Sequence, residues 1–114
     1  MQVMEHISAT ERRIIRRVLT NISDLLTKHP GLTVNVHDEA EMVYSGPFDR
    51  KKIEEEIGHT GMTTITVKVP ATQHPVVRAT VLFIHGNEED VLSDSGCSEG
   101  GEWLEQAMCV GEPE

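Results

Sequence analysis

SATERRIIRRVLTNISDLLTKHPGLTVNVH, residues 8–37, changes its hydrophobic period part-way along, and that change decides the fold class. Ser8-Ala-Thr-Glu11 has the form of a capping box, in which the serine accepts from the backbone and the glutamate reaches back. Ile14, Ile15, Val18, Leu19, Ile22, Leu25 and Leu26 follow at helical spacing. At about 100° per residue they share one arc, and Arg12, Arg13, Arg16 and Arg17 fill most of the opposite one. The spacing predicts a helix over Thr10–Lys28. His29-Pro30-Gly31 ends it, because the residue before proline resists helix and glycine suits a reversal. From Leu32 the period drops to two. Leu32, Val34 and Val36 alternate with Thr33, Asn35 and His37, as in a half-buried strand.

Reading outward, Asp38–Glu41 is a polar turn and Met42-Val43-Tyr44 a second strand of a hairpin, which Ser45-Gly46-Pro47 is expected to break. Asp49 suits the N-cap of a short helix, Arg50 to Ile57, with Phe48, Ile53 and Ile57 as its buried stripe. Its charges run Arg50-Lys51-Lys52 and then Glu54-Glu55-Glu56, against the preference of the helix dipole. Either packing holds this helix or its charges serve elsewhere. Thr63–Val69 is a β-branched strand with Ile65, Val67 and Val69 on one face. Pro70–Pro75 is a turn. Val76–Ile84 is apolar on both faces and belongs in the middle of a sheet.

The order α-β-β-α-β-β-(α) predicts an α+β two-layer sandwich. Its sheet would have four mostly antiparallel strands, with the long N-terminal helix across one face. Residues 1–94 are read as a single α+β domain. Within it, Asp90–Asp94 forms a short strand or a helical turn. Residues 95–114 are read as an acidic tail, with a Gly/Ser linker over 95–101 and a short helix over 102–109. Trp103, Leu104 and Ala107 would dock that helix on the body.

Charge is segregated along the 114 residues. Residues 86–114 hold nine acids and no Lys or Arg, whereas residues 1–85 hold ten of each sign, so the formal net charge of −9 lies in the last quarter. Such polarity bears on association and solubility rather than on chemistry. Phe48, Phe83, Tyr44 and Trp103 are the only Phe, Tyr and Trp, which argues against a base-stacking surface.

Chemical motifs are lacking. Cys97 and Cys109 are separated by eleven residues with no close histidine, so neither a disulfide framework nor a zinc site is expected. Five of the six histidines fall in loops or at element ends. Ser93, in Leu-Ser-Asp-Ser-Gly, does not match a nucleophile elbow, and the glycines of 58–61 and 96–101 do not match phosphate loops. No catalytic residue, metal or cofactor is assigned. The first residues lack a secretory pattern, and no apolar run approaches the roughly 20 residues that span a bilayer. The expectation is a cytoplasmic protein with reduced thiols and no membrane partner.

Two sets of residues are candidates. Glu88, Glu89, Asp90, Asp94 and Trp103, with the basic face of Arg12, Arg13, Arg16 and Arg17, are candidates for interaction. His85 and Ser93, beside Asp90 and Asp94, are candidates for a ligand pocket at the end of the apolar strand. The carboxylates of Asp90 and Asp94 would raise the pKa of His85. The segment Phe83-Ile84-His85-Gly86-Asn87-Glu88-Glu89-Asp90-Val91-Leu92-Ser93-Asp94 resembles a strand and Gly-Asn-x-x-Asp-Val-x-Ser-Asp turn of small uncharacterised phage and prophage proteins. The resemblance implies an accessory protein of a mobile element.

The resulting expectation is a non-enzymatic accessory protein that acts by protein–protein interaction. Self-association into a homodimer, basic face to acidic end, is one form of it. Two alternatives stand beside it: an enzymatic or ligand-binding pocket at His85, Asp90, Ser93 and Asp94, and an acidic decoy that occupies the nucleic-acid site of a host protein. A third reading is that the arginine face of Arg12, Arg13, Arg16 and Arg17 binds phosphates, as in a phosphate backbone, though the net charge disfavours nucleic acid as a partner.

Overall fold

The computed structural model describes residues 8–58, 60–70, 76–86 and 90–110. The chain opens with helix α1, Ala9–Lys28. Ser8 Oγ accepts the Glu11 N–H at 3.2 Å, which is the first half of the expected capping box. Ile15, Val18, Leu19, Ile22 and Leu25 are buried along α1, as the helical spacing predicts. Strands β1, Thr33–Asp38, and β2, Glu41–Pro47, form the expected hairpin. Glu39 turns it with φ 55, a left-handed conformation unusual for a side chain without a short polar group. The predicted break at Ser45–Pro47 does not occur. These residues pair with Asn35, Val34 and Thr33, on an edge strand where proline is tolerated.

Helix α2, Arg50–Glu56, is capped by Asp49, which accepts the Lys52 N–H at 3.3 Å. It buries Ile53 and is followed by the buried Ile57. Strands β3, Met62–Val69, and β4, Val77–Ile84, pair antiparallel over their whole lengths. The turn predicted between them lies, at 71–75, outside the described residues.

The chain departs from expectation after β4. A fifth strand, β5, Leu92–Cys97, pairs antiparallel with β4, and helix α3, Glu102–Cys109, follows it. The sheet therefore has five strands rather than four, in the order β2-β1-β3-β4-β5, every pair antiparallel. Ser95 and Gly96 have little preference for strand, so they read as linker. Pairing with Val81 and Thr80 overrides that local preference. The expected division after Asp94 falls inside β5. β4 is an interior strand, though β3 is the middle one.

One face of the sheet is closed. Val34, Val36, Ile65, Val67, Val69, Ala79, Val81 and Phe83 join the α1 stripe in a single core. α2 lies on one flank of α1, where Arg50 meets Thr20, and α3 on the other. There Asn21 Nδ2 donates to the Met108 and Val110 carbonyls at 3.0 and 2.8 Å. Leu104 and Met108 anchor α3 in the core. Trp103, expected to dock, is instead 43% exposed and rests against the His29 ring. Gly101 starts α3 where nothing larger fits, since a Cβ there would lie 2.8 Å from the Arg78 carbonyl. Among the described residues, no helix is long and apolar enough to cross a membrane.

Candidate functional site

Three polar constellations stand out from this frame. The first is buried. Glu11 sits at the start of the apolar stripe of α1, four residues before Ile15, and is only 1% exposed. Its carboxylate does not complete the capping box. Oε1 accepts from His85 Nδ1 at 2.7 Å, and Oε2 accepts the Gly86 N–H at 3.1 Å. This contact fixes the imidazole. In the neutral ring it leaves Nε2 to accept the hydroxyl proton of Thr63, 2.7 Å away. In the protonated ring both nitrogens donate, and Thr63 Oγ1 accepts. The Gly58 N–H donates to the same oxygen at 3.4 Å.

Carboxylate, imidazole and hydroxyl in this order resemble a nucleophilic triad. Accessibility decides what the arrangement does. Thr63 is 0% exposed, so its oxygen has no open side from which a substrate could approach. What the cluster does is tie three distant segments together, α1, the start of β3 and the residues just after β4. Burying such groups is tolerable only because each has its partner.

The second constellation is an open depression of about 190 Å³ between α1 and α2, lined by Arg13, Arg16, Arg17, Thr20 and Arg50. Arg50 is the residue that sequence alone does not supply. Its Nη1 donates to Thr20 Oγ1 at 3.0 Å, its Nη2 to the Arg16 carbonyl at 3.4 Å, and its Nε to Glu54 Oε1 at 3.3 Å. The guanidinium is thereby drawn across from α2 onto the arginine face of α1. Arg12, grouped with the others by sequence, is partly buried on α1 and does not line the depression. The signal that pointed to Arg50 was the reversed charge order of its helix.

The third is the acidic side. β5 is an outermost strand, and Ser93, Asp94, Ser95 and Cys97 are exposed on it. The exposed Glu99 and Glu102 follow on the way into α3. Glu105 takes hydrogen bonds from Ser95 and Cys97, which hold its carboxyl below the usual range. The Cys97 thiol is pushed up, first by its bond to Glu105, and Cys109 is pushed up by burial. Neither is an activated thiol.

The remaining candidates are dispersed. His85 is given to Glu11 and Thr63, so the carboxylate beside it is not that of Asp90 or Asp94. Ser93 and Asp94 lie on the exposed strand and Asp90 is exposed before it. Among the described residues, no hydrogen bond brings His85, Ser93 and Asp94 together. Glu88 and Glu89 lie outside the described residues. No group of three or more His, Cys, Asp and Glu among the described residues is arranged to hold a metal ion. The position of Glu11 on the apolar stripe was the available clue to the buried cluster. Thr63 carried no such clue.

Compared with models of known protein families, with curated proteins and with solved structures, the chain matches none.

Proposed function

We propose that the chain is a small non-enzymatic accessory protein that acts by binding another protein, and that its contact surface is the acidic side built by β5 and α3. The observation that carries this reading is that, among the described residues, the outermost strand β5 carries the exposed Asp94, with the exposed Glu99 and Glu102 after it. Acids on an edge strand resist pairing with a second copy of the same edge, and they attract a basic surface. No Lys or Arg follows residue 85, and the exposed Arg78 of β4, which meets Ser98, is the basic residue beside this side. The enzymatic alternative is weaker, because His85 and Thr63 are engaged in holding elements together and Thr63 is sealed. A mobile-element setting rests on the Gly86–Asp94 resemblance.

The test is affinity capture from cell lysate with the full chain and with a variant carrying Asp94→Asn, Glu99→Gln and Glu102→Gln. A defined basic partner held by the parent and lost by the variant, at an unchanged melting temperature, is the expected result. Equal capture by both sinks the reading.

A further inference from the structure

The depression on the opposite flank from α3 is unrelated to the acidic side. Seven of the ten Lys and Arg residues fall at 12–17 or 50–52, that is, on the N-terminal half of α1 or in α2. The chain is otherwise strongly acidic. Arginines brought together on a surface repel one another, and the first turn of α2 adds three basic residues and no acid where the helix dipole prefers the reverse. Local electrostatics thus oppose the arrangement, yet Arg13, Arg16, Arg17 and Arg50 line a single depression. Deviations of this kind concentrate at sites of function.

The geometry points to a binding site for a phosphate group, with Arg13, Arg16, Arg17 and Arg50 as its cationic wall and Thr20 as its hydroxyl. Three features select phosphate. First, Arg50 is preorganised: Thr20, the Arg16 carbonyl and Glu54 fix its fork before any ligand arrives, so less rotamer freedom is lost on binding. Second, no carboxylate lines the depression among the described residues. Four arginines lining one depression, Arg50 among them already paired with Glu54, suit a group that carries about −1.5 to −2 charges and three acceptor oxygens. A monovalent carboxylate compensates less of that field. Third, a space of about 190 Å³ is smaller than the roughly 300–1,000 Å³ of sites that enclose a whole ligand. It takes a headgroup and leaves the remainder of the molecule outside.

A nucleic-acid backbone is disfavoured by the same geometry. Polymer sites are grooves or stripes that follow successive phosphates, with rings for stacking. Here the cations of two helices meet at one concavity, no aromatic residue lines it, and the whole chain carries −9.

The experiment titrates the full chain with glycerol 3-phosphate, inorganic phosphate, acetate and a short single-stranded oligonucleotide. Arginine Nε–Hε resonances and calorimetric heats are the readouts. Glycerol 3-phosphate or inorganic phosphate should move the Arg16 and Arg50 resonances, and acetate should bind more weakly. Arg16→Gln and Arg50→Gln should each weaken phosphate binding by about tenfold, the loss of one charge-assisted bond. Arg16 is exposed, so its variant keeps the test valid should Arg50→Gln disturb the packing of α2. Equal affinity for the ion and the ester assigns the site to free phosphate; tighter binding of the ester assigns it to a phosphorylated small molecule. Unmoved resonances, affinity unchanged in both variants, or tighter and steeply salt-dependent binding of the oligonucleotide would each overturn the assignment.

Discussion

Helix α1 carries two sets of charged and polar side chains with opposite fates. On the inward side, Glu11 and Asn21 are buried and hydrogen-bonded, Glu11 with His85 and Gly86, Asn21 through Nδ2 with the end of α3. On the outward side, Arg13 and Arg16 border an open depression. Angular position on the helix separates these fates. A polar group in the apolar arc has been taken from water and has to be matched inside, whereas one in the opposite arc keeps its solvent and stays free to exchange it for a ligand. The inward set holds elements together, and the outward set is the one we propose for recognition.

The largest expected effect tests that division directly. Glu11→Ala leaves the partly buried His85 Nδ1 and the Gly86 N–H without their acceptor, and should lower unfolding stability by about 2–3 kcal/mol. Arg13→Ala, only two residues on, should stay within about 0.5 kcal/mol. Urea unfolding of the two variants side by side measures both. Equal losses would break the comparison.

A smaller effect sharpens it. Asn21→Ala removes both donors to the last carbonyls of α3, and should cost about 1–2 kcal/mol. The loss should be local. Amide exchange should accelerate across α3 while β3 and β4 keep their protection.

The smallest concerns the acidic side. Ser95→Ala deletes the first cause of the lowered Glu105 carboxyl, so that carboxyl should titrate nearer its ordinary value. The sign is fixed by linkage. A carboxyl depressed in the folded state contributes stability above its unfolded pKa, and loses it as pH falls through the folded one. The variant should therefore flatten the acid limb slightly, and the Glu105 side-chain resonance followed against pH reads the change.

These contrasts also show what a sequence can display. α1 was legible nearly to the residue, because the amphipathic period and the caps at Ser8 and His29 are local properties. The first hairpin and the short capped helix were legible for the same reason. β5 was not. Ser93-Asp94-Ser95-Gly96 has no strand signature, and its conformation is supplied by β4 on one side and α3 beside it. The sites divide in the same way. The arginine face of α1 can be read from the wheel, whereas the reversed charge order of α2 marks Arg50 as unusual without saying that it meets Thr20 from 30 residues away. His85 could be singled out, but its neighbours in sequence suggested Asp90 and Asp94 as partners. The fold instead brings Glu11 from 74 residues away.

The bond from Asn21 to the Met108 carbonyl spans 87 positions and sets an order of events in the living cell. α1 is the first described element to leave the ribosome and the last to find all its neighbours. At about 5–20 residues per second, its flank waits on the order of 4–17 s for the chain that will cover it. Throughout that interval the flank of α1 that Leu104 and Met108 will close is uncovered, while the rest of its stripe has sheet partners that are synthesised earlier.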